Sequence, residues 1–162
     1  MDDNEFISDY LERYRQSLID TDVSGELIRM KEMLLEVKER GNKVIVSGNG
    51  GSAAIAGHIA VDFTKQAGIR TVNFNEPNLI TCFANDYGYE KWVSKAIEFY
   101  GDKGDIAILI STSGSSLNML NAAKTAKELN MQVVTFTGFD EENPLKQSGN
   151  LNLWVNSRAY NV

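Results

Sequence analysis

Phe6, Ile7, Tyr10, Leu11, Tyr14 and Leu18 recur three and four residues apart in a polar stretch, the spacing of one face of a helix. The chain is therefore expected to open with an amphipathic helix over about residues 4–19. Leu27, Met30, Leu34 and Val37 repeat the pattern, and Gly41 offers the left-handed stop of a second helix. The period then changes. Short apolar runs of strand type fall at 43–47, 70–74, 105–110, 132–136 and 151–155, separated by helical patterns at about 52–66, 89–99 and 116–129. Such alternation predicts an α/β fold, a doubly wound parallel five-stranded sheet flanked by helices, with two extra helices in front. Pro77 and Pro144 are the only prolines and are both expected in loops. With no repeat, linker or low-complexity segment, residues 1–162 read as one domain, an N-terminal helical part (1–40) and an α/β core (43–162).

A minimal sheet of this kind does not need the first two helices. The aromatic stripe on the first either packs on its own sheet or pairs with another subunit. The second reading makes the protein a homo-oligomer.

Composition narrows the function classes. Hydrophobic residues make up 43% and charged residues 23%, with a net charge of −6 and no basic tract, so nucleic acid is not expected as a partner. No apolar run reaches membrane-spanning length and no signal sequence is evident, so neither a membrane nor secretion is expected. Cys82 is the lone cysteine, which excludes an internal disulfide and suits a cytoplasmic location.

Two loops carry the candidate chemistry. Val44-Ile45-Val46-Ser47 runs into Gly48-Asn49-Gly50-Gly51-Ser52, and Ile106-Ala107-Ile108-Leu109-Ile110 runs into Ser111-Thr112-Ser113-Gly114-Ser115-Ser116. Each loop joins a strand to a helix at the carboxyl edge of the sheet, where open α/β folds bind ligands. Glycines allow close backbone approach, unpaired first-turn N–H groups and the helix dipole favour an anion, and the hydroxyls add short donors. The bland alternative is a pair of tight turns in which a serine such as Ser52 caps its helix. Two such loops on one edge favour a phosphate or similar oxyanion. The first also matches the loose dinucleotide pattern G-x-G-x-x-A, but Asn73 and Asn75 stand where an acidic ribose ligand is wanted. No Gly-Lys-Ser/Thr makes a nucleotide P-loop.

Together, GNGGS at 48–52 and STSGSS at 111–116 resemble the sugar isomerase (SIS) domain family, and most nearly its phosphoheptose isomerases. The helix Ser52–Phe63, the segment Phe83–Tyr89 with its Asn-Asp-aromatic-Gly, and Val134–Gly138 are similar to that family as well. The resemblance implies isomerisation of sedoheptulose 7-phosphate to D-glycero-D-manno-heptose 7-phosphate for surface polysaccharide, by a tetramer. It implies phosphate contacts from Ser52, Ser111, Thr112, Ser113 and Ser116, and a sugar side lined by Asn49, Gly50, Gly51, Asn85 and Asp86. It places His58 and Asp62 beside the reacting carbons as the catalytic pair, the same two groups that bind zinc in some members.

Two departures stand against it. The family usually carries Glu where this chain has Asp62, a carboxyl retracted by roughly 1.5 Å on bond-length grounds. The family also continues into a C-terminal helix supplying a Gln and a His, and this chain stops at about that point, at Val162. No cofactor is required by these residues, and zinc would need a third ligand from elsewhere.

The geometry of one helix is consistent with the chemistry. Aldose–ketose isomerisation moves a proton between C1 and C2 and needs a base there and a polarised carbonyl. Positions 55, 58 and 62 share a face with Ser52, and at about 1.5 Å per residue His58 and Asp62 lie about 9 and 15 Å along the axis. His58 is the only histidine of the chain. The competing reading is a non-catalytic sensor or adaptor that binds a phosphosugar, of the type associated with the replication initiator.

Overall fold

In the computed structural model residues 2–160 are described, and they form a five-stranded parallel sheet with helices on both faces. The chain runs α1 (Asp3–Leu18), α2 (Ser24–Arg40), β1 (Val44–Gly48), α3 (Gly51–Lys65), β2 (Thr71–Val72), α4 (Pro77–Tyr87) and α5 (Trp92–Tyr100). It continues through β3 (Ile106–Ser111), α6 (Leu117–Glu128), β4 (Gln132–Thr137), α7 (Pro144–Ser148) and β5 (Leu151–Trp154). The strand order is β2-β1-β3-β4-β5, with every pair parallel.

Period-two alternation divides the core. Ile45, Ala107, Leu109 and Val133 point to the face covered by α5 and α6, where Trp92, Ile97, Met119 and Ala123 are buried. Val44, Val46, Ile106, Ile108 and Val134 point to the other face, covered by α2 and α3 through Met33, Leu34, Val37 and Ala56. Because both faces are covered, β1 and β3 are buried along their whole length and read as near-continuous apolar runs.

The N-terminal helices divide the two readings of that region. α2 packs on its own sheet and ends at Gly41, whose φ of 72° is the left-handed stop expected there. α1 begins in a capping box, Asp2 accepting from the Glu5 N–H while the Glu5 carboxylate accepts from the Asp2 N–H. It buries no residue, and Phe6, Ile7, Leu11 and Leu18 are all exposed.

Three expectations are corrected. Neither proline lies in a loop: Pro77 and Pro144 each occupy the first turn of a helix, where a missing N–H costs nothing. The helix expected at 89–99 starts at Trp92, behind a turn that ends α4 at Gly88. The strand expected at 70–74 pairs only over Thr71–Val72, because Asn73 accepts the Asn75 N–H and turns the chain away.

Candidate functional site: two loops at the sheet's switch point

In this strand order the chain leaves β1 towards one edge and β3 towards the other. The crevice between their carboxyl ends is the topological switch point of the sheet. β1 and β3 pair in register through Gly48 opposite Ile110, so the glycine loop and the hydroxyl loop emerge side by side.

The glycine loop is shaped by close approach. A Cβ on Gly48 would lie 2.7 Å from the backbone of Ser52, so only glycine lets α3 begin this near the strand. Gly50 has a φ of 54° and is the N-cap of α3, with no side-chain cap bond. The capping alternative for Ser52 is thereby excluded: Ser52 lies inside the first turn, and its N–H donates to the Asn49 carbonyl at 3.0 Å.

The hydroxyl loop folds over Gly114, whose φ is 62° and whose Cβ would collide with the Asn143 amide. Asn143 is buried, caps α7 by accepting the Lys146 N–H, and donates to Thr137 Oγ1 and the Asp140 carbonyl. Leu145 N–H donates to the Gly114 carbonyl, which ties the loop down from the far side. Within it, Ser111 Oγ donates to Ser116 Oγ at 3.1 Å, and Ser113 Oγ accepts from Ser115 Oγ at 3.0 Å. Ser116 is the N-cap of α6, yet its side chain makes no cap bond.

That last feature has chemical weight. Serine at an N-cap ordinarily satisfies an orphan N–H of the first turn. Here two helix N-termini lie beside one another with no side-chain cap on either, and the loops contain no cation. Backbone donors, hydroxyls and two aligned helix dipoles are the equipment for an oxyanion.

Asn49 joins the loops. Its amide forms a reciprocal pair with Asn118 of α6, at 3.0 and 2.8 Å, and its Oδ1 also accepts the Tyr89 hydroxyl at 3.1 Å. Asn118 and Tyr89 were not among the residues expected at the site. Asn118 lies two residues beyond the serine run, and the only sequence signal for it is a polar residue on a helix face that must be buried.

The remaining candidates lie on the helices α3 and α4. His58 and Asp62 lie on the outer face of α3, with His58 Nε2 3.6 Å from Asp62 Oδ2 and their side chains 79% and 54% exposed. Ile55 is exposed on the same face, whereas Ala56 and Ala60 turn inward, so the expected common stripe 55-58-62 exists. Asn85 and Asp86 occupy the last turn of α4, where Asn85 Nδ2 donates to Asp86 Oδ1 at 2.9 Å and Cys82 Sγ lies 3.7 Å from Asp86 Oδ2. Among the described residues, no three His, Cys, Asp or Glu side chains gather into a metal-binding group. His58 and Asp62 alone are one donor short of the three protein ligands a catalytic zinc takes, so a third would have to come from outside the described residues.

Beside the loops a cavity of ≈ 440 Å³ opens between α1 and the carboxyl ends of the strands. Ser52 and Thr112 contribute to its wall, with Tyr14, Phe136, Trp154 and Tyr160 among its apolar lining, and neither His58 nor Asp62 reaches it.

Comparison with known proteins agrees with this architecture. The family model described as the SIS domain matches residues 8–138. A phosphoheptose isomerase of Cytophaga hutchinsonii is 37% identical over 121 residues, covering 72% of this chain and 63% of that protein. One from Fusobacterium nucleatum is 35% identical over 134 residues, covering 80% of this chain and 69% of that protein. The solved structure of a phosphoheptose isomerase from Francisella tularensis superposes with a TM-score of 0.90 at 27% identity, covering 99% of this chain and 89% of that one. The chain thus spans less than two thirds of the Cytophaga relative.

Proposed function

The chain belongs to the SIS domain family, and from that premise we propose that it is a phosphosugar isomerase interconverting sedoheptulose 7-phosphate and D-glycero-D-manno-heptose 7-phosphate. The observation that carries this reading is the pair of uncapped helix N-termini at the β1/β3 crevice. Ser52, Ser111, Thr112, Ser113 and Ser116 hold the phosphate with the first-turn N–H groups, while Asn49, Gly50, Gly51, Asn85 and Asp86 face the sugar. His58 takes the proton from one of the two reacting carbons and returns it to the other. Asp62, 3.6 Å away, orients the ring and stabilises its charged form. No step is assigned to zinc, since a third donor would have to come from another subunit or from further chain.

A base exposed on a helix surface works poorly in open water, where the developing enediolate is solvated by bulk solvent instead of fixed dipoles. The apolar face of α1 is likewise uncovered. Both observations support a homo-oligomer, a tetramer by analogy with the family, in which neighbouring subunits cover the α3 stripe. No helix of the described residues is long and apolar enough to cross a membrane. An exposed free Cys82 fits a cytoplasmic enzyme supplying heptose units for surface polysaccharide.

The exposure of His58 and the shorter Asp62 favour a second reading, a phosphosugar-binding sensor or adaptor without catalysis. One experiment separates the two. Purified protein incubated with sedoheptulose 7-phosphate, with and without added zinc, should form the aldose. Binding without conversion under both conditions would leave the sensor reading in place.

A further inference from the structure

The reciprocal amide pair at Asn49 has a role beyond holding two loops together. Asn49 Oδ1 accepts from Asn118 Nδ2 and from the Tyr89 hydroxyl, which fills both of its acceptor positions. Its Nδ2 gives one hydrogen to Asn118 Oδ1, which leaves its second amide hydrogen as the only one a ligand can accept. Asn118 itself is 3% exposed, so its amide is out of reach of bulk water and depends on Asn49 for its bonds.

The three partners come from three separate segments. Asn49 follows β1, Asn118 is in the first turn of α6, and Tyr89 lies in the turn between α4 and α5. The pair therefore fixes the glycine loop relative to the helix whose N-terminus carries the hydroxyl loop. The α4–α5 turn is drawn to the same point.

We propose that Asn118, assisted by Tyr89, is a positioning residue that aims the Asn49 amide at the sugar part of a phosphosugar held by the two loops. The proposal rests on the phosphosugar reading above. It separates two kinds of recognition. The phosphate is held by hydroxyls and backbone N–H groups that do not involve the Asn118 side chain, whereas the sugar is met by a side chain that does nothing useful unless the Asn118 amide holds it.

The test is a double-mutant cycle of Asn49→Ala, Asn118→Ala and the double variant. Dissociation constants for sedoheptulose 7-phosphate and for inorganic phosphate are measured by calorimetry, with kcat and KM for conversion. Asn118→Ala should weaken the sugar phosphate about tenfold, the size of one well-aimed hydrogen bond, and change inorganic phosphate by less than about twofold. The double variant should be no worse than Asn49→Ala alone, because Asn118 acts through Asn49. Tyr89→Phe removes a single bond at an exposed position and should give a smaller loss of the same kind, again absent in an Asn49→Ala background. It serves in place of Asn118→Ala if that variant fails to fold.

Equal losses for the two ligands, or additive losses in the double variant, would overturn the proposal. So would a wild-type protein that binds the sugar phosphate no better than phosphate. A protein that shows the expected binding cycle but no conversion would instead overturn the isomerase reading and leave the positioning role standing.

Discussion

At the amino ends of β1 and β3, the buried carboxylate of Asp105 accepts four hydrogen bonds. They come from Lys43 Nζ at 2.6 Å, the Lys43 N–H at 2.9 Å, Asn42 Nδ2 at 3.0 Å and the Asp102 N–H at 2.9 Å. At the carboxyl ends of the same two strands, two helices begin on Gly50 and Ser116 with no side chain capping either. One end satisfies its charge internally and the other leaves donors for something else to satisfy. Internal satisfaction contributes to stability and gives no binding. An open set of donors contributes binding and forgoes the stability a cap would add, about 1 kcal/mol per helix. The difference teaches where to look for function in a parallel sheet: at the end that has not completed its own hydrogen bonds.

Substitutions should therefore divide cleanly between the two ends. The largest effect is expected at α3. His58→Ala should lower kcat by about 100- to 10,000-fold, the range of a general acid–base group, with the dissociation constant for sedoheptulose 7-phosphate changed less than about twofold. Turnover that survives the substitution would move the chemistry off this helix.

Next in size is the closed end. Asp105→Ala leaves Lys43 with Asp102 alone and takes the acceptor from the Lys43 N–H, the Asp102 N–H and the Asn42 amide, and it should cost about 3 kcal/mol in a urea melt, while kcat/KM per folded molecule stays the same. Burial alone would raise the Asp105 pKa, but the hydrogen bonds from Lys43, its backbone N–H, the Asp102 N–H and Asn42 outweigh it and hold the carboxyl below its ordinary range. A depressed folded value means that this stability is present above about pH 4 and is lost as pH falls through the folded pKa. The Asp105→Ala protein should thus lose less stability than wild type on acidification. Burial likewise works against the Lys43 charge, yet Asp102 and Asp105 raise its pKa, so its share is lost only at strongly alkaline pH. A loss of activity in Asp105→Ala out of proportion to unfolding would break the division.

The smallest effect sharpens the open end. Ser113→Ala should weaken sugar-phosphate binding about fivefold, one hydroxyl contact of about 1 kcal/mol, with the thermal midpoint unmoved. A fall in stability without a fall in affinity would make the hydroxyl loop structural.

Much of this was legible from the chain. Alternating apolar runs announced the parallel strands because a strand covered on both faces must be apolar throughout, and the two loops announced themselves because glycine and serine runs after such strands have few other uses. What was not legible has a common cause. Pro77 and Pro144 suit a helix's first turn as well as a loop, and only packing chooses between them. The exposure of His58 could not be read from an i, i+4 pair, since the spacing defines a face and not the direction it looks.

By itself the sequence determined the layer architecture, the second helix's stop at Gly41 and the chemical character of both loops, because these depend on local period, local φ and residue type. Tertiary structure alone decided which polar residues meet. Asn118 stands 69 positions from Asn49 and Tyr89 stands 40 from it, separations over which local pattern carries no information. Their contact exists because parallel pairing of β1 with β3 brings both loops to one crevice, and the burial of α6 then obliges its one inward amide to find a partner there.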